Sequence, residues 1–256
     1  MPDWWPELYL KFSDQRGRPA ADLIAQVRLE NPARVIDLGC GTGSSTEQVH
    51  RRWPLADITG LDSSEEMLAQ AQKAHPDWNW VRSYIERWQP EAPYDLVFSN
   101  AAFHWVPDHG ILFPRLFSGV APGGALAVQM PNNFDSPVHQ AMKKVAADPR
   151  WRGALNGGSQ RYGIEPAAFY YDLLRKSAGQ LDIWETEYLQ VMNGPMAILD
   201  WIRGTGMRFY LERLPYDDQR RTFEDLCMAE FETLYRPNDQ GKVLFPFKRM
   251  FMIAYR

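Results

Sequence analysis

Residues 34–45 read RVIDLGCGTGSS, and this segment carries the strongest indication of the fold. Val35, Ile36 and Leu38 give a short, mostly apolar run that is typical of a strand buried in a sheet. Three glycines at alternate positions then allow a sharp turn and a close approach of a ligand to the backbone. The hydroxyl residues at 44–46 are candidate N-caps of a following helix, whose open N–H groups would face the same place. A strand, a glycine loop and a helix start together predict a nucleotide-binding cradle.

The spacing of the glycines bears on which nucleotide is bound. The dinucleotide fingerprint is Gly-x-Gly-x-x-Gly, whereas residues 39–43 here read GCGTG. Asp37, just before the loop, would repel a pyrophosphate but suits a ligand with an ammonium group. S-adenosylmethionine carries such a group and no phosphate, so the pattern favours it over NAD. A tight turn without a ligand is the alternative at this point.

The composition excludes several classes of protein. The 256 residues suffice for one large domain or a domain with an insertion, and 45% of them are hydrophobic. The net charge is −4, with 28 basic and 32 acidic residues and no basic block, which argues against a nucleic-acid partner. No apolar run approaches the ~20 residues that cross a bilayer, and the first residues lack the pattern of a signal peptide. We therefore expect no membrane partner. The two cysteines have no metal-ligand spacing around them, so we expect no metal and a cytoplasmic location.

Strands and helices alternate after the glycine loop, which predicts βαβ units and a parallel sheet. Pro246, in the last strand, indicates an edge or a bulge. The segments 131–180 and 194–240 have mainly helical patterns and are expected to fold together over the carboxyl end of the sheet. The first 30 residues are expected to dock on the core or to close over the ligand as a lid. The expected strands are 35–38, 58–61, 79–84, 94–100, 125–130, 181–192 and 243–255.

Ligands bind at the carboxyl ends of strands in open α/β sheets, so the residues after each strand are candidate contacts of the cofactor. Asp62 ends the second strand, where an acid can accept hydrogen bonds from both hydroxyls of a ribose; a plain N-cap is the alternative. Cys40, within the loop, is expected to pack rather than to react. The predicted cofactor contacts are Asp37, Gly39, Cys40, Gly41, Gly43, Asp62, Ser63, Met67, Ser83, Tyr84, Ile85, Asn100, Ala101, Tyr9 and Phe12, with His104 and Trp105 at the rim.

These motifs, at 36–43, 62, 94–100 and 116–124, resemble those of class I S-adenosylmethionine-dependent methyltransferases. Further segments resemble the trans-aconitate 2-methyltransferase family: Trp5-Pro6, 9–12, Arg18-Pro19, 103–105, 170–174, 184–188, 201–206 and 245–249. Tyr84 departs from the class I pattern, because many members carry an aspartate there for the adenine amino group.

The resemblance implies an α/β, Rossmann-like fold with a mostly parallel seven-stranded sheet, helices on both faces and a helical cap. The resemblance divides the chain into four parts. Residues 31–130 form the cofactor-binding core, and residues 1–30 form the lid or docking segment. The cap comprises 131–180 and 194–240, and 181–193 and 241–256 supply the last strands of the sheet.

The resemblance also implies a carboxyl O-methyltransferase. It would use S-adenosylmethionine, release S-adenosylhomocysteine and esterify one carboxylate of trans-aconitate or of a related small polycarboxylate. Such an anion requires hydrogen-bond donors, and arginine suits carboxylates best. The expected substrate contacts are Arg203, Arg208, Arg161, Tyr162, Tyr210 and His104, although each arginine alone could be a surface residue. No acid or base is expected, because a carboxylate with a pKa of about 4 is already ionised at neutral pH.

Three rival functions stay open from the sequence. One is methylation of a neutral hydroxyl, with His104 as the base. Another is non-catalytic binding of S-adenosylmethionine, and the third is a nicotinamide oxidoreductase. The glycine spacing and Asp37 disfavour the third.

Overall fold

Strand β1 (Arg34–Leu38) lies inside the sheet, because its residues are apolar enough to be buried on both faces. It pairs in parallel with β2 (Asp57–Asp62) on one side and with β4 (Tyr94–Asn100) on the other. Ile36 and Leu38 belong to the main core cluster, whereas Asp37 contacts the following helix. Since side chains alternate along a strand, helices cover both faces of the sheet at this point.

The computed structural model describes residues 13–155 and 164–256, and the side chains from residue 17 onward. The remaining strands are β3 (Asn79–Arg82), β5 (Val120–Pro131), β6 (Gln180–Met192) and β7 (Val243–Tyr255). The helices before β6 are α1 (Ser13–Gln26), α2 (Ser44–Arg52), α3 (Glu65–Ala74), α4 (His109–Ser118), α5 (Pro137–Ala146), α6 (Arg152–Leu155) and α7 (Ala167–Leu174). Those after it are α8 (Gly194–Arg203), α9 (Arg208–Leu211) and α10 (Asp217–Leu234). None of the described helices is both long and apolar enough to span a membrane.

The seven strands form one sheet in the order β3-β2-β1-β4-β5-β7-β6. Strands β1 to β5 pair in parallel, and β7 pairs antiparallel with β5. The predicted mostly parallel, seven-stranded α/β sheet is therefore confirmed. Of the two alternatives for Pro246, the edge strand is wrong, since β7 lies between β5 and β6. The bulge stays a prediction; Pro246 lies outside the segment 249–255 that pairs with β5.

The chain divides into two compact units. The first contains the described residues 16–132, 164–186 and 249–256, and its core cluster joins the sheet to α4 and α7. The second contains the described residues 13–15, 133–155 and 187–248, and its own core includes Met142, Ile198, Trp201, Phe223 and Phe231. Each unit thus buries an apolar core of its own.

Helix α7 differs from the predicted division, which assigned it to the helical cap. Its Tyr170 and Leu174 are buried in the core cluster of the sheet, and the hydroxyl of Tyr170 lies 2.7 Å from Nδ1 of His109 in α4. Tyr170 and Leu174 therefore pack in the core of the sheet unit.

Candidate active site

The glycine loop after β1 has two packed glycines and one open glycine. Gly39, Gly41 and Gly43 have φ values of 79°, 56° and 86°, a region that disfavours other residues. A Cβ at Gly39 would lie 2.2 Å from Cβ of Ala102, so the loop after β4 packs directly on it. A Cβ at Gly41 would meet no heavy atom within 4 Å in the described chain. The space beside Gly41 is therefore where a ligand can reach the backbone.

Asp62, at the end of β2, holds the glycine loop and the start of α3. Its Oδ2 accepts a hydrogen bond from the backbone N–H of Gly41 at 2.9 Å, and its Oδ1 accepts one from Ser64 at 2.9 Å. The N-cap of α3 is Ser64, whose hydroxyl accepts from the N–H of Met67. Each oxygen of a carboxylate can accept a second hydrogen bond. Asp62 is thus more than an N-cap, and its half-buried carboxylate has capacity for a ligand.

Asp37 lies beneath the loop rather than on its surface. The residue is 0% exposed, and its Oδ2 accepts hydrogen bonds from the hydroxyls of Ser45 and Thr46, both at 2.7 Å. Burial raises its pKa to about 6, although the two hydroxyls oppose the shift. Asp37 thus ties β1 to α2 through Oδ2. Its Oδ1 is also buried and has no hydrogen-bond partner among the described residues, so the expected contact with an ammonium group of the ligand stays a prediction.

The N-cap of α2 is also corrected. Gly43 occupies that position in a left-handed conformation, and no side chain of the described residues caps the helix. Ser45 and Thr46 lie within the first turn of α2, after the N-cap position, and their hydroxyls donate to Asp37. The first N–H groups of α2 consequently keep no side-chain cap beside the glycine loop.

The segment after β3 combines buried and exposed residues. Tyr84 is 55% exposed, with the guanidinium of Arg87 5.2 Å from its ring centre, whereas Ile85 is buried. The N–H of Ser83 donates to the carbonyl of Asp62 at 3.0 Å, which brings this segment to the end of β2. The exposed ring of Tyr84 is available for stacking.

Cys40, in the glycine loop, packs as expected from the sequence. Burial raises the pKa of the Cys40 thiol, so that thiol stays protonated.

The loop after β4 is the rim of the site. Oδ1 of Asn100 is buried and accepts no hydrogen bond from the residues that the structure describes. Ala101 has a φ of 54°, and its N–H donates to the carbonyl of Gln129 in β5. His104 is buried, and this burial is the main reason why its pKa is lowered to about 3. Trp105, beside it, is half exposed. His104 is therefore neutral at physiological pH.

Comparison with known proteins identifies the family. Residues 35–124 match the family described as "Methyltransferase domain". The trans-aconitate 2-methyltransferase of Azoarcus sp. (strain BH72) is 45% identical over 256 residues, which are 100% of this chain and 100% of that protein. The chain belongs to the trans-aconitate 2-methyltransferase family.

Solved structures with low sequence identity share the fold. The YcgJ protein of Bacillus subtilis has a TM-score of 0.60 at 15% identity and covers 93% of this chain and 98% of that one. Phosphoethanolamine N-methyltransferase 2 of Haemonchus contortus, solved with phosphomonomethylethanolamine and S-adenosylhomocysteine, has a TM-score of 0.55 at 14% identity, over 93% of this chain and 52% of that one. The Rossmann-like methyltransferase fold expected of a trans-aconitate 2-methyltransferase relative is thus present.

Two of the arginines expected to bind the substrate, Arg203 and Arg208, pair with carboxylates of the chain itself. The guanidinium of Arg203 makes two hydrogen bonds to Glu224, of 2.6 and 3.0 Å, and lies 3.6 Å from Asp200. Arg208 pairs with Glu212 one helical turn away. This corrects the view of Arg203 as an anion-binding residue, since its charge joins α8 to α10.

Tyr210 belongs to the core of the second unit. Its ring stacks on Phe223 with the centroids 5.2 Å apart, and burial raises its pKa to about 12. The expected hydrogen bond to substrate is therefore replaced by a packing role. Arg161, Tyr162, Tyr9 and Phe12 lie outside the described residues. Among the described residues, no three His, Cys, Asp or Glu side chains come together as a metal site.

Two buried polar residues of the sheet were not predicted from the sequence. Gln129 in β5 and Arg249 in β7 are 0% and 5% exposed, and the guanidinium of Arg249 donates to Oε1 of Gln129 at 3.3 Å. The available signal was a polar residue, Gln129, in the apolar run ALAVQMP, and the pair Lys248-Arg249 between the apolar residues of FKRMF. A buried polar group in such a strand requires a partner or a function.

Proposed function

We propose that this chain transfers the methyl group of S-adenosylmethionine to one carboxylate of trans-aconitate and forms a monomethyl ester. The observation that carries the proposal is the identity of 45% to a trans-aconitate 2-methyltransferase along the full length of both chains. That identity extends beyond residues 35–124, the Methyltransferase domain, into the regions where substrate specificity must lie.

The residues at the carboxyl edge of the sheet fit S-adenosylmethionine. The open space beside Gly41 would admit the ligand, and Asp62 keeps acceptor capacity for a ribose hydroxyl. The buried Oδ1 of Asn100, which has no hydrogen-bond partner in the described parts of the chain, requires a donor such as an amine of the ligand. Tyr84 offers an exposed ring for stacking. When bound, S-adenosylmethionine supplies an electrophilic methyl group on a positively charged sulfur.

The chain supplies alignment and exclusion of water rather than proton transfer. A carboxylate of trans-aconitate is ionised at neutral pH and is itself the nucleophile. The rim residues Phe103 and His104 are buried, so they restrict water at the end of β4. Alignment of the attacking oxygen with the methyl group then lowers the barrier. His104 and Trp105 serve as positioning residues.

The second candidate is methylation of a neutral hydroxyl with His104 as the general base. An efficient base has a pKa near the operating pH, whereas burial and the charges of Arg249 and His109 lower the pKa of His104 to about 3. The carboxylate reaction predicts that kcat/KM stays level between pH 6 and about 8.5. A limb near pH 6.5 that disappears in His104→Gln would favour the hydroxyl reaction.

Substrate class is tested by comparing trans-aconitate with a monocarboxylate of similar size. We expect a kcat/KM at least about ten-fold higher for trans-aconitate, because a site built for several carboxylates leaves donors unpaired around a single one. Equal use of the two acids would remove trans-aconitate as the substrate while leaving a methyltransferase. A cytoplasmic location stays a prediction from the sequence.

A further inference from the structure

Gln129 and Arg249 form a buried polar pair within the apolar sheet. In the antiparallel register of β5 and β7, Arg249 lies opposite Pro131 and Gln129 lies opposite Phe251. The two side chains are therefore diagonal neighbours, and Nη1 of Arg249 donates to Oε1 of Gln129. The pair lies where β5 ends and the antiparallel β7 enters the sheet.

The amide of Gln129 has an unused donor. Its oxygen accepts from the guanidinium, which assigns the other amide atom, Nε2, as the NH₂ group. Nε2 is buried and donates to no acceptor among residues 13–155 and 164–256. A buried donor without an acceptor is rare in folded proteins, and each instance requires an explanation.

This pair lies at the same edge of the sheet as the candidate active site. The glycine loop follows β1, the rim follows β4, and Gln129 is the register partner of Asn100 at the end of β4. The N–H of Ala101 donates to the carbonyl of Gln129. The positive charge of Arg249 also contributes to the low pKa of His104, so the guanidinium is close to the rim.

We propose that Nε2 of Gln129 and the guanidinium of Arg249 bind one carboxylate group of the substrate. Both groups donate hydrogen bonds, and arginine keeps its positive charge at any physiological pH, so the matching ligand is an anion that accepts. A hydroxyl substrate or a cation would satisfy the pair less well. The inference rests on the proposed function, because trans-aconitate supplies the carboxylate.

The decisive variant is Gln129→Glu, which keeps the size of the side chain and replaces the NH₂ donor by an acidic oxygen. The new carboxylate would pair with Arg249 and cancel the charge offered to the substrate. We expect the KM for trans-aconitate to rise about 10- to 100-fold, with the affinity for S-adenosylhomocysteine changed by less than about two-fold. Gln129→Met and Arg249→Lys, which remove one donor each without adding an acid, should give smaller increases.

Arg175→Met is the matched control, because Arg175 is an exposed arginine of the sheet unit that pairs with Asp172. Calorimetric titration of trans-aconitate into the complex with S-adenosylhomocysteine reports binding even without turnover. The inference is supported if Gln129→Glu binds trans-aconitate more weakly than both wild type and Arg175→Met do. This result would support it even if no ester forms and the proposed function fails.

Equal affinity of wild type and Gln129→Glu for trans-aconitate would overturn the inference, as would the absence of binding to wild type. A lower Tm of Gln129→Glu with unchanged KM would mean that Nε2 meets only a buried water. If Gln129→Glu does not fold, the affinity for trans-aconitate and the KM are measured for Gln129→Met and Arg249→Lys instead, with the same criteria.

Discussion

The open glycine of the loop gives the sharpest test of where the cofactor binds. Gly41→Ala adds one methyl group that meets no protein atom within 4 Å among the described residues. The backbone there has a φ of 56°, so the substitution costs about 1–2 kcal/mol of folding free energy from conformational strain alone. Any further effect on ligand binding must come from the methyl group entering the space that the ligand occupies.

Gly123→Ala is the matched control for this strain. Gly123 has a φ of 78°, and its added Cβ would likewise meet nothing within 4 Å in the described chain. It lies near the start of β5, at the opposite end of that strand from the active site. The two variants should therefore lose similar stability, by about 2–8 °C in Tm for a chain of this size.

The variants should differ in their affinity for S-adenosylhomocysteine. A methyl group forced into a packed contact costs about 1–3 kcal/mol, which corresponds to a loss of about 5- to 150-fold for Gly41→Ala. Gly123→Ala should bind as wild type does. Calorimetry of both folded variants measures the difference, and equal affinities would refute the assignment of the space beside Gly41 to the cofactor.

Further predictions concern the charged groups around and beyond the loop. Asp62→Ala should weaken binding of S-adenosylhomocysteine about 10- to 100-fold, because it removes the carboxylate that accepts hydrogen bonds from the loop and, in the proposed complex, from the ribose. An unchanged affinity in calorimetry, together with a lower Tm, would mean that Asp62 has only a structural role. The pKa of Asp37 is raised from 3.8 to about 6 in the folded chain. The protonated carboxyl therefore contributes to the unfolding free energy below pH 4, and this contribution is lost as the pH rises through 6. Relative to Asp37→Asn, wild type should lose about 2.4 kcal/mol of unfolding free energy between pH 4 and 7.5, measured by urea unfolding at each pH. The same dependence of unfolding free energy on pH in both proteins would contradict the burial of this carboxylate. Arg203→Met should lower the unfolding free energy by about 2–3 kcal/mol, because it leaves Glu224 partly buried without its partner, with little change in the KM for trans-aconitate. A large rise in that KM at unchanged stability would return Arg203 to the substrate site.

Local signals in the sequence predicted the sheet and the glycine loop. Strand β1 and the glycines after it depend on residues within a few positions of one another. The contacts that were not predicted depend on distant residues or on the alternation of a strand. Asp37 points away from Ile36 and Leu38 and therefore meets α2, which the glycine motif alone does not indicate.

Pairs distant in the chain explain the rest. Arg203 is neutralised by Glu224 only because α8 packs on α10, and no local pattern encodes that contact. Gln129 and Arg249 are 120 positions apart and meet through the pairing of β5 with β7. A search of the sequence for polar residues in apolar strands would have found both residues but not their juxtaposition.

The fate of the methyl group tests the central claim most directly. Purified protein is incubated with trans-aconitate and with S-adenosylmethionine that carries a ¹³C-labelled methyl group, and the products are followed by NMR. We expect one new ester methyl signal on trans-aconitate for each S-adenosylhomocysteine formed, and release of the label as methanol in mild base. Label that stays in S-adenosylmethionine, or that enters a product resistant to base, would contradict transfer to a carboxylate.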